Sequence, residues 1–230
     1  MTAPLVTLHV WGLRGRAVPA ALLRMAADRP VLRRTPGLRF AKLLGTGSGR
    51  TFTLRDADPR TWALLAVWDD EAAVGGWPVV GRWRRLADEE WVVRLRPLSS
   101  RGRWSGQEPF GRPTPQRWDG AVAAVTRARL TARKAARFWR AVPPVSADLH
   151  ASPGLRLALG IGEAPVGLQG TVSVWDSAAA LGAFAYGRPA HTEAIRRTAE
   201  EGWYAEELFA RFAVLSAAGT VNGRDPLSAS

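Results

Sequence analysis

The sequence predicts an α+β fold in which two fused ferredoxin-like repeats, each with the order β-α-β-β-α-β, close into one intrachain dimeric α+β barrel. Three observations predict this fold. Similar segments recur in the same order at offsets of about 105 to 120 residues. Each half of the chain shows the same series of strand and helix patterns. A stretch rich in glycine and proline separates the two halves.

Three pairs of similar segments carry the duplication. TPGLRFAKLLGTGSG (35–49) matches SPGLRLALGIGEAP (152–165), TWALLAVWDDEAAVGGW (61–77) matches QGTVSVWDSAAALGAF (169–184), and GRWRRLADEEWVVRLRPL (81–98) matches EAIRRTAEEGWYAEELFARFAVL (193–215). Because the three matches keep their order, they indicate a duplicated unit. We therefore predict an N-terminal repeat over 1–98, a connecting loop over 99–120 and a C-terminal repeat over 121–230.

The first repeat begins with a predicted strand at 4–13, which is rich in β-branched and aromatic residues. A helix is predicted over 17–30, and Pro30 is expected to end it. The remaining elements are predicted strands at 37–45 and 61–68, a helix from about 70 to 88 and a last strand at 90–98.

The second repeat shows the same order of patterns. Its predicted elements are strands at 121–130, 154–162, 168–175 and 207–215, with helices at 131–143 and 176–201. Residues 99–120 show no periodicity, and a loop of this length often has a function. Two such sheets in one chain are expected to pack together around a single pocket between one sheet and its helices.

The composition limits the class of protein. A hydrophobic fraction of 47% is typical of a folded chain. No apolar run approaches the roughly 18 to 20 residues of a membrane-spanning helix, and the first residues lack the basic segment of a secretory signal. The absence of cysteine excludes disulfides, thiolate ligands and iron–sulfur clusters. The cytoplasm is the expected compartment.

The formal net charge is +12, and the basic residues are nearly all arginine, with lysine only at Lys42 and Lys134. Such a charge suits an anionic membrane surface or an acidic partner protein, and a GC-rich genome would produce the same composition. The arginines are spread along the chain rather than packed into one patch with aromatic residues between them. We therefore expect no nucleic-acid partner.

One histidine distinguishes the two repeats. Alignment of ADEEW (87–91) with AEEGW (199–203) places His191 opposite Val79. On a helix, His191 shares its face with Ala194, Ile195, Thr198, Ala199 and Gly202, which are small or apolar. Two interpretations remain open: a core histidine that donates to a backbone carbonyl, or a ligand beside the room that small neighbours leave for a flat cofactor.

Other catalytic motifs are weak or missing. His9 lies in a strand without a ligand-like companion, and His150 lies in a turn where exposure is expected. The sequence has no H-x-x-x-H metal motif and no G-x-S-x-G elbow, and the lysine of a P-loop does not follow GTGSG (45–49). Haem, by contrast, can be held by a single histidine.

Several uncommon segments agree, in order, with one known family. They are RGRWSGQEPF (101–110), AAVTRARL (123–130), FWRAVPPVSADL (138–149), PGLRLALGIGEAPVGLQGTVSVW (153–175), FAYGRPAHTEAIRRTAEEGWYAEELFARF (184–212) and GTVNGRDPL (219–227). On these residues the chain resembles the spheroidene monooxygenase family, bacterial enzymes that oxygenate acyclic carotenoids. The resemblance covers nearly the whole chain and is densest after residue 100.

The resemblance implies a haem-dependent monooxygenase with haem b bound in a dimeric α+β barrel and His191 as the iron ligand. It implies an apolar, carotenoid-like substrate and an external electron donor such as a ferredoxin. Peripheral membrane association is a further expectation. Two alternatives remain open: a haem enzyme of the same fold that acts on a nitrogen compound, as an aldoxime dehydratase does, and a non-catalytic protein that binds haem or an apolar ligand.

Further site residues follow from strand periodicity and from the position of aromatic residues. Arg127 and Arg129 share one face of a strand, as do Gln169 and Ser173. We predict that Arg127, Gln169 and Ser173 act near bound oxygen and that Arg129 contacts the cofactor, although a solvent-facing arginine pair is the alternative. Trp104, Trp139 and Phe184 are predicted to border the cofactor and substrate pocket, although a Trp104 that simply packs on the barrel is the alternative. The pairs Trp68 with Trp175 and Trp91 with Trp203 are predicted to be structural.

Overall fold

A computed structural model describes residues 4–51, 56–130, 145–164, 169–187 and 204–228, and the statements below concern these residues. Eight antiparallel strands form one closed barrel in the order β1-β3-β2-β6-β7-β5-β8-β4, with β4 next to β1. The strands are β1 (Leu5–Leu13), β2 (Leu38–Gly47), β3 (Ala57–Trp68), β4 (Ala87–Gly102), β5 (Val122–Leu130), β6 (Leu155–Gly162), β7 (Gly170–Trp175) and β8 (Tyr204–Gly219). The helices are α1 (Val18–Arg33), α2 (Pro78–Arg84), α3 (145–150) and α4 (Ala178–Gly187). This arrangement confirms the predicted α+β barrel of two ferredoxin-like repeats.

Each repeat contributes half of the barrel with the same strand order. The first repeat supplies β4-β1-β3-β2 and the second supplies β8-β5-β7-β6, while β4–β8 and β2–β6 pairs join the two halves. Leu5 pairs with Trp68 in the first repeat as Val122 pairs with Trp175 in the second. The strand registers therefore assign an equivalent in one repeat to each strand position of the other.

The predicted helices differ most from the structure. Pro30 does not end α1, which continues to Arg33, because the φ angle of proline is helical and buried Leu32 keeps the last turn on the core. The helix predicted from about 70 to 88 is a short 3₁₀ turn (Glu71–Val74) followed by α2, since Gly76 with φ 72° separates the two. Residues from Ala87 onward join β4. The predicted helix 131–143 and residues 188–201 lie outside the described residues.

The registers correct one predicted equivalence. Val10 pairs with Trp91, and its equivalent Arg127 pairs with Leu208. Trp91 therefore corresponds to Leu208, and its predicted pairing with Trp203 is wrong by five residues, whereas Trp68 and Trp175 are equivalent as predicted. The alignment of His191 with Val79 used the same two segments that paired Trp91 with Trp203. Because His191 lies outside the described residues, this alignment stays a prediction.

A fourth similarity between the repeats, at the end of each, is visible only with the structure. GRWSGQEPF (102–110) and GTVNGRDPL (219–227) follow β4 and β8 with the same turn, in which Ser105 and Asn222 both have φ 54°. Gly102 and Gly219 have φ values of 87° and 90°, and a Cβ there would approach a backbone carbonyl to 2.1 and 2.0 Å. The start of the predicted connecting loop thus belongs to β4 and its turn, while the predicted domain boundaries stay a prediction.

The hydrophobic core lies on both sides of the barrel wall. Side chains from all eight strands fill the interior, among them Leu8, Leu65, Val172 and Phe212. A separate outer layer packs the helices of the first repeat against its sheet, and a smaller one does so in the second repeat. Because the interior is packed with apolar side chains, space for a ligand has to lie between a sheet and its helices.

Candidate functional site

The helix-facing surface of the first sheet is filled by large side chains. They are His9, Trp11, Leu43, Trp62 and Leu64, all buried. Trp83 of α2 stacks on Trp11 at 5.3 Å between ring centroids and lies 5.6 Å from Trp62. Met25 of α1 belongs to the same cluster. This layer leaves no space for a ligand between the sheet and α1 and α2.

The equivalent surface of the second sheet carries much smaller side chains. By strand register, the equivalents of those five residues are Thr126, Ala128, Gly160, Gln169 and Thr171. We call these five residues the cradle. Two tryptophans and two leucines of the first repeat are thus replaced by alanine, glutamine, glycine and threonine. Because the backbone registers are the same, the second sheet carries less side-chain volume on this surface than the first sheet does.

The far end of the same surface is closed by aromatic packing. Trp175 is fully buried and stacks on Phe184 of α4 at 5.3 Å, and Leu181 and Leu149 complete the cluster. Phe184 also borders an open groove of about 420 Å³ between residues 152–154 and the small side chains of α4. The second sheet therefore has a packed end at Trp175 and a small-residue end at the cradle.

The glycine-rich loop of the first repeat lies at the edge of the cradle. A Cβ on Gly49 would stand 3.2 Å from the backbone nitrogen of Gly160 and 3.7 Å from the methyl group of Thr171. Gly49 has φ 67°, so both its conformation and its neighbours favour glycine. The GTGSG segment therefore shapes a turn, as expected, and this turn contacts the cradle.

A pair of equivalent glutamates shows the same asymmetry. Glu90 accepts hydrogen bonds from Trp11 Nε1 at 3.0 Å and Arg84 Nε at 2.6 Å, and its Oε1 lies 3.2 Å from His9 Nδ1. Its equivalent Glu207 is half-buried, and among the described residues no side chain donates to it. Within the described ranges, the carboxylate at the cradle edge thus accepts no side-chain hydrogen bond, whereas its equivalent in the first repeat accepts several.

Burial alone would raise the pKa of Glu90, but hydrogen bonds from His9, Arg84 and Trp11 outweigh it and lower the pKa to about 2. This carboxylate therefore stabilises the fold above its ordinary pKa of 4.5, and the contribution is lost as pH falls towards 2. We expect the advantage of the parent over Glu90→Gln in free energy of unfolding to shrink by about 3 kcal/mol over that range. Urea unfolding at several pH values would measure it, with Glu207→Gln as the matched control. A constant difference between parent and Glu90→Gln would contradict this account.

A network of buried charges lies at the end of the barrel next to the cradle. Arg127 projects from β5 into the barrel and is 4% exposed. Its guanidinium donates to Glu163 Oε1 at 2.7 Å and also to Glu206. Trp104 Nε1 donates to the same Glu163 oxygen at 2.8 Å, and the guanidinium lies 5.8 Å from the Trp104 ring. The first repeat has Val10 in the place of Arg127, so its described residues contain no equivalent network.

The network ties the two repeats together. Lys42 of β2 donates to Glu163 Oε2 and to Ser105 Oγ, each at 2.6 Å. Glu206 of β8 accepts from the backbone nitrogens of Ser105 at 3.0 Å and Gly106 at 2.7 Å. Two cations thus balance two carboxylates, and together they hold the turn after β4 against the second repeat.

Both carboxylates stay ionised more readily than usual. Burial raises the pKa of Glu163, but Lys42, together with Trp104 and Arg127, has the larger opposite effect. The pKa of Glu163 therefore lies below its ordinary value. Burial also raises the pKa of Glu206, while the backbone N–H groups of Gly106 and Ser105, with Arg127, hold it below its ordinary value. The network is therefore charged at neutral pH.

The structure brings Arg127 and Trp104 together, but on the barrel side of the second sheet. Trp104 is fully buried there, and Arg129, two residues further along β5, is exposed. Arg127 and Arg129 share a face of the strand as predicted, although Arg127 is buried and paired with carboxylates. Their predicted roles at a cofactor stay predictions.

Ser173 and Phe184 lie on the opposite, helix-facing side. Ser173 Oγ accepts a hydrogen bond from Trp175 Nε1 at 2.9 Å, and Trp175 stacks on Phe184. Gln169 precedes β7 in the cradle, where its carbonyl accepts from the Ala128 nitrogen at 2.8 Å. The predicted residues therefore form two groups, one on each side of the sheet. His191 and Trp139 lie outside the described residues.

Sequence reasoning missed the cradle and the glutamates of the charge network. The signal for the cradle was present, because aligning the strands position by position places Ala128 opposite Trp11 and Gly160 opposite Leu43. Glu163 had no such signal, since its partners Lys42, Trp104 and Arg127 lie on three distant segments.

The sequence has close relatives. A spheroidene monooxygenase from Rhodobacter capsulatus is 39% identical over 235 aligned positions, which cover 98% of this chain and 96% of that protein. The chain belongs to the spheroidene monooxygenase family. A spheroidene monooxygenase from Rubrivivax gelatinosus is 44% identical over 194 positions, covering 82% of this chain and 73% of that protein. The predicted family is confirmed, and with it the predicted oxidoreductase class.

The fold of this spheroidene monooxygenase family member is shared with a more distant enzyme. The crystal structure of aldoxime dehydratase matches with a TM-score of 0.58 at 12% identity, covering 92% of this chain and 81% of that chain. At this identity the match shows the shared fold alone. No protein-family model matches the chain.

Clusters of metal ligands and membrane-spanning helices are both absent from the part of the chain that the structure describes. There, no three histidine, aspartate or glutamate side chains are grouped so as to hold a metal ion. None of the helices in the same ranges combines the length and the apolar character that crossing a bilayer requires.

Proposed function

We propose that the chain is a haem-dependent monooxygenase that oxygenates an apolar polyene of the carotenoid class, with haem b held between the cradle and the helices of the second repeat. The single observation that carries this proposal is the cradle, the small-residue surface that replaces the filled layer of the first repeat. Membership of the spheroidene monooxygenase family supports the reaction and the substrate class.

The cradle fits a flat, largely apolar ring with polar edges. Ala128 and Gly160 form a flat apolar surface with short side chains. Polar groups next to this surface come from Thr126, Thr171 and Gln169. An aromatic wall stands at the far end, where Trp175 and Phe184 stack. No equivalent space exists at the first sheet, where Trp11 and Trp62 fill it.

His191 is the proposed iron ligand. The other two histidines have partners of their own: His9 is buried in the filled layer beside Glu90, and His150 is exposed with Nδ1 2.8 Å from the carbonyl oxygen of Ser146. In the sequence, His191 follows the last residue of α4 by four positions. Of the three histidines, His191 is therefore the one that follows α4 in the sequence and that remains as the candidate ligand.

Bound haem would supply the activation of dioxygen that no side chain of this sequence can perform. One oxygen atom enters a C–H bond of the substrate and the other leaves as water, which consumes two electrons and two protons. An external donor such as a ferredoxin would deliver the electrons. The chain itself has to bind the substrate, exclude water and supply protons.

The described residues suit these tasks. Because Ser173 Oγ accepts from Trp175, its own hydroxyl hydrogen is available for donation towards the helix side. The carboxylate of Glu207 lies half-buried at the cradle edge, in the same layer. Phe184 and the alanines beside it line the groove that an extended apolar chain would occupy. Arg127 acts from the other side of the sheet as a positioning residue for β5.

The experiment is an absorption titration of the full chain with haem, in which His191→Ala is compared with His150→Ala. We expect a Soret band in the parent and in His150→Ala and its loss or shift in His191→Ala. A parent that takes up no haem would overturn the proposal. An unchanged band in His191→Ala would overturn the ligand assignment.

Turnover then separates the reaction from its alternatives. Oxygenation of an acyclic carotenoid that requires reduced ferredoxin and dioxygen would support the monooxygenase. Dehydration of an aldoxime without net electron supply would indicate the nitrogen-compound alternative. Haem uptake without turnover of either substrate would indicate a binding protein.

A further inference from the structure

The outward face of α1 is apolar, which is unusual for a helix on the surface of a barrel. Ala21, Met25, Asp28 and Leu32 face the core. On the opposite side the helix presents Pro19, Leu22, Leu23, Ala26, Ala27, Pro30 and Val31, and Leu23 is 74% exposed. A surface helix normally carries polar residues there. We call these seven residues the α1 stripe.

Arginines border the stripe; among them Arg24 lies 3.8 Å from the carboxylate of Asp28, which belongs to the buried side of α1. Arg16, Arg24, Arg29, Arg33 and Arg34 lie along its two sides and its ends. The one acidic residue of α1, Asp28, is 2% exposed and is bound to Arg82 and Trp83. Among the residues that the structure describes, no carboxylate forms an ion pair with Arg16, Arg33 or Arg34. The border is therefore a row of positive charges facing solvent.

We propose that α1 is the surface by which the protein docks on an anionic lipid bilayer, with the stripe inserted at the level of the headgroups. Apolar residues on one face with arginines beside them are the pattern of helices that lie in the membrane interface. The stripe spans 13 residues from Pro19 to Val31, or about 18 Å along the helix axis. The arginines are placed to contact lipid phosphates while the leucines enter the apolar region.

The position of α1 links docking to the proposed site. Arg29 donates to the carbonyl oxygen of Glu163 at 2.6 Å. Glu163 directly follows β6, the strand that carries Gly160 of the cradle. Docking through α1 therefore brings the segment after β6, and the cradle beside it, close to the bilayer. This consequence rests on the proposed function, because a polyene substrate resides in the bilayer; the docking itself does not.

The test is co-sedimentation of the full chain with vesicles of phosphatidylcholine alone or of equal parts phosphatidylcholine and phosphatidylglycerol, at low and high salt. We expect binding to the anionic vesicles that weakens with salt. Leu23→Glu should reduce the partition coefficient by about tenfold or more, because a leucine leaves the apolar region. Arg33→Glu should reduce it by about fivefold or more.

The matched controls are Leu215→Glu on β8 and Arg117→Glu in the segment between the repeats, which make the same changes at exposed positions outside α1. Both are expected to bind within about twofold of the parent. Circular dichroism checks that each variant is folded. Equal binding of Leu23→Glu, Arg33→Glu and the parent would overturn the proposal. The proposal would also be overturned if the parent did not bind anionic vesicles, or if it bound an acidic ferredoxin through Arg33 instead.

A second readout separates this inference from the proposed function. With detergent-dispersed carotenoid, Leu23→Glu should keep the haem spectrum and turnover of the parent, whereas with carotenoid inside anionic vesicles its turnover should fall. Equal turnover from vesicles would overturn substrate delivery through α1. If the protein binds no haem, the proposed function is wrong. The partition of the protein into vesicles would still test the docking proposal, because it does not depend on haem.

Discussion

The Ala128→Trp variant is expected to lose haem binding while it keeps the barrel. Trp11 occupies the equivalent position in the first repeat, so the β5 backbone can carry an indole there in the same strand geometry. In the second repeat that indole would fill the space above the cradle. We expect haem affinity to fall by at least about tenfold, measured by titration at the Soret band, with circular dichroism as the test of folding.

Two further variants make this result decisive. Ala128→Ser adds little volume and should bind haem as the parent does. Thr171→Leu introduces the residue of the first repeat, Leu64, at a second cradle position and should also weaken haem binding. Unchanged haem affinity in folded Ala128→Trp and Thr171→Leu would place the haem away from the cradle.

Arg127→Leu is expected to destabilise the fold by about 3 to 5 kcal/mol, the range found when one partner of a buried ion pair is removed. The substitution leaves Glu163 and Glu206 close together with Lys42 as the remaining cation. Because the pKa values of both glutamates lie below their ordinary value, they are charged at neutral pH. The destabilisation should therefore be largest at neutral pH and should shrink as pH falls and the carboxylates take up protons.

The comparison variants test the network itself. In Arg127→Leu with Glu206→Gln, removal of one unpaired carboxylate should recover part of the lost stability in urea unfolding. Glu206→Gln alone should cost less than Arg127→Leu. Full stability of Arg127→Leu together with loss of turnover would instead favour the role near bound oxygen predicted from the sequence.

The strands were the most predictable part of this protein. The content of β-branched and aromatic residues and the duplicated segments located all eight strands and the order of each repeat, because such residues favour strands. The helices were less predictable. Pro30 and the stretch after Asp70 carry local signals that tertiary contacts override: Leu32 keeps α1 on the core, and pairing with β1 draws residues from Ala87 into β4.

Equivalent positions needed the strand registers. Sequence similarity aligned Trp91 with Trp203, because ADEEW and AEEGW resemble each other, whereas hydrogen-bonded pairing makes Leu208 the equivalent. The second repeat has ten more residues in this region, since Glu89 follows Trp68 by 21 positions and Glu206 follows Trp175 by 31. The local similarity of ADEEW and AEEGW gives no sign of these additional residues.

The sequence by itself determined the duplication, the barrel class, the family and the choice of His191 as the candidate ligand. Each of these depends on local pattern or on similarity along the chain. Only the tertiary structure decided that Arg127 belongs to a charge network with Lys42 and Glu163, that the cradle is emptied of large side chains, and that the outward face of α1 is apolar. These properties depend on which distant residues meet and which faces remain exposed, and closing the barrel is what decides both.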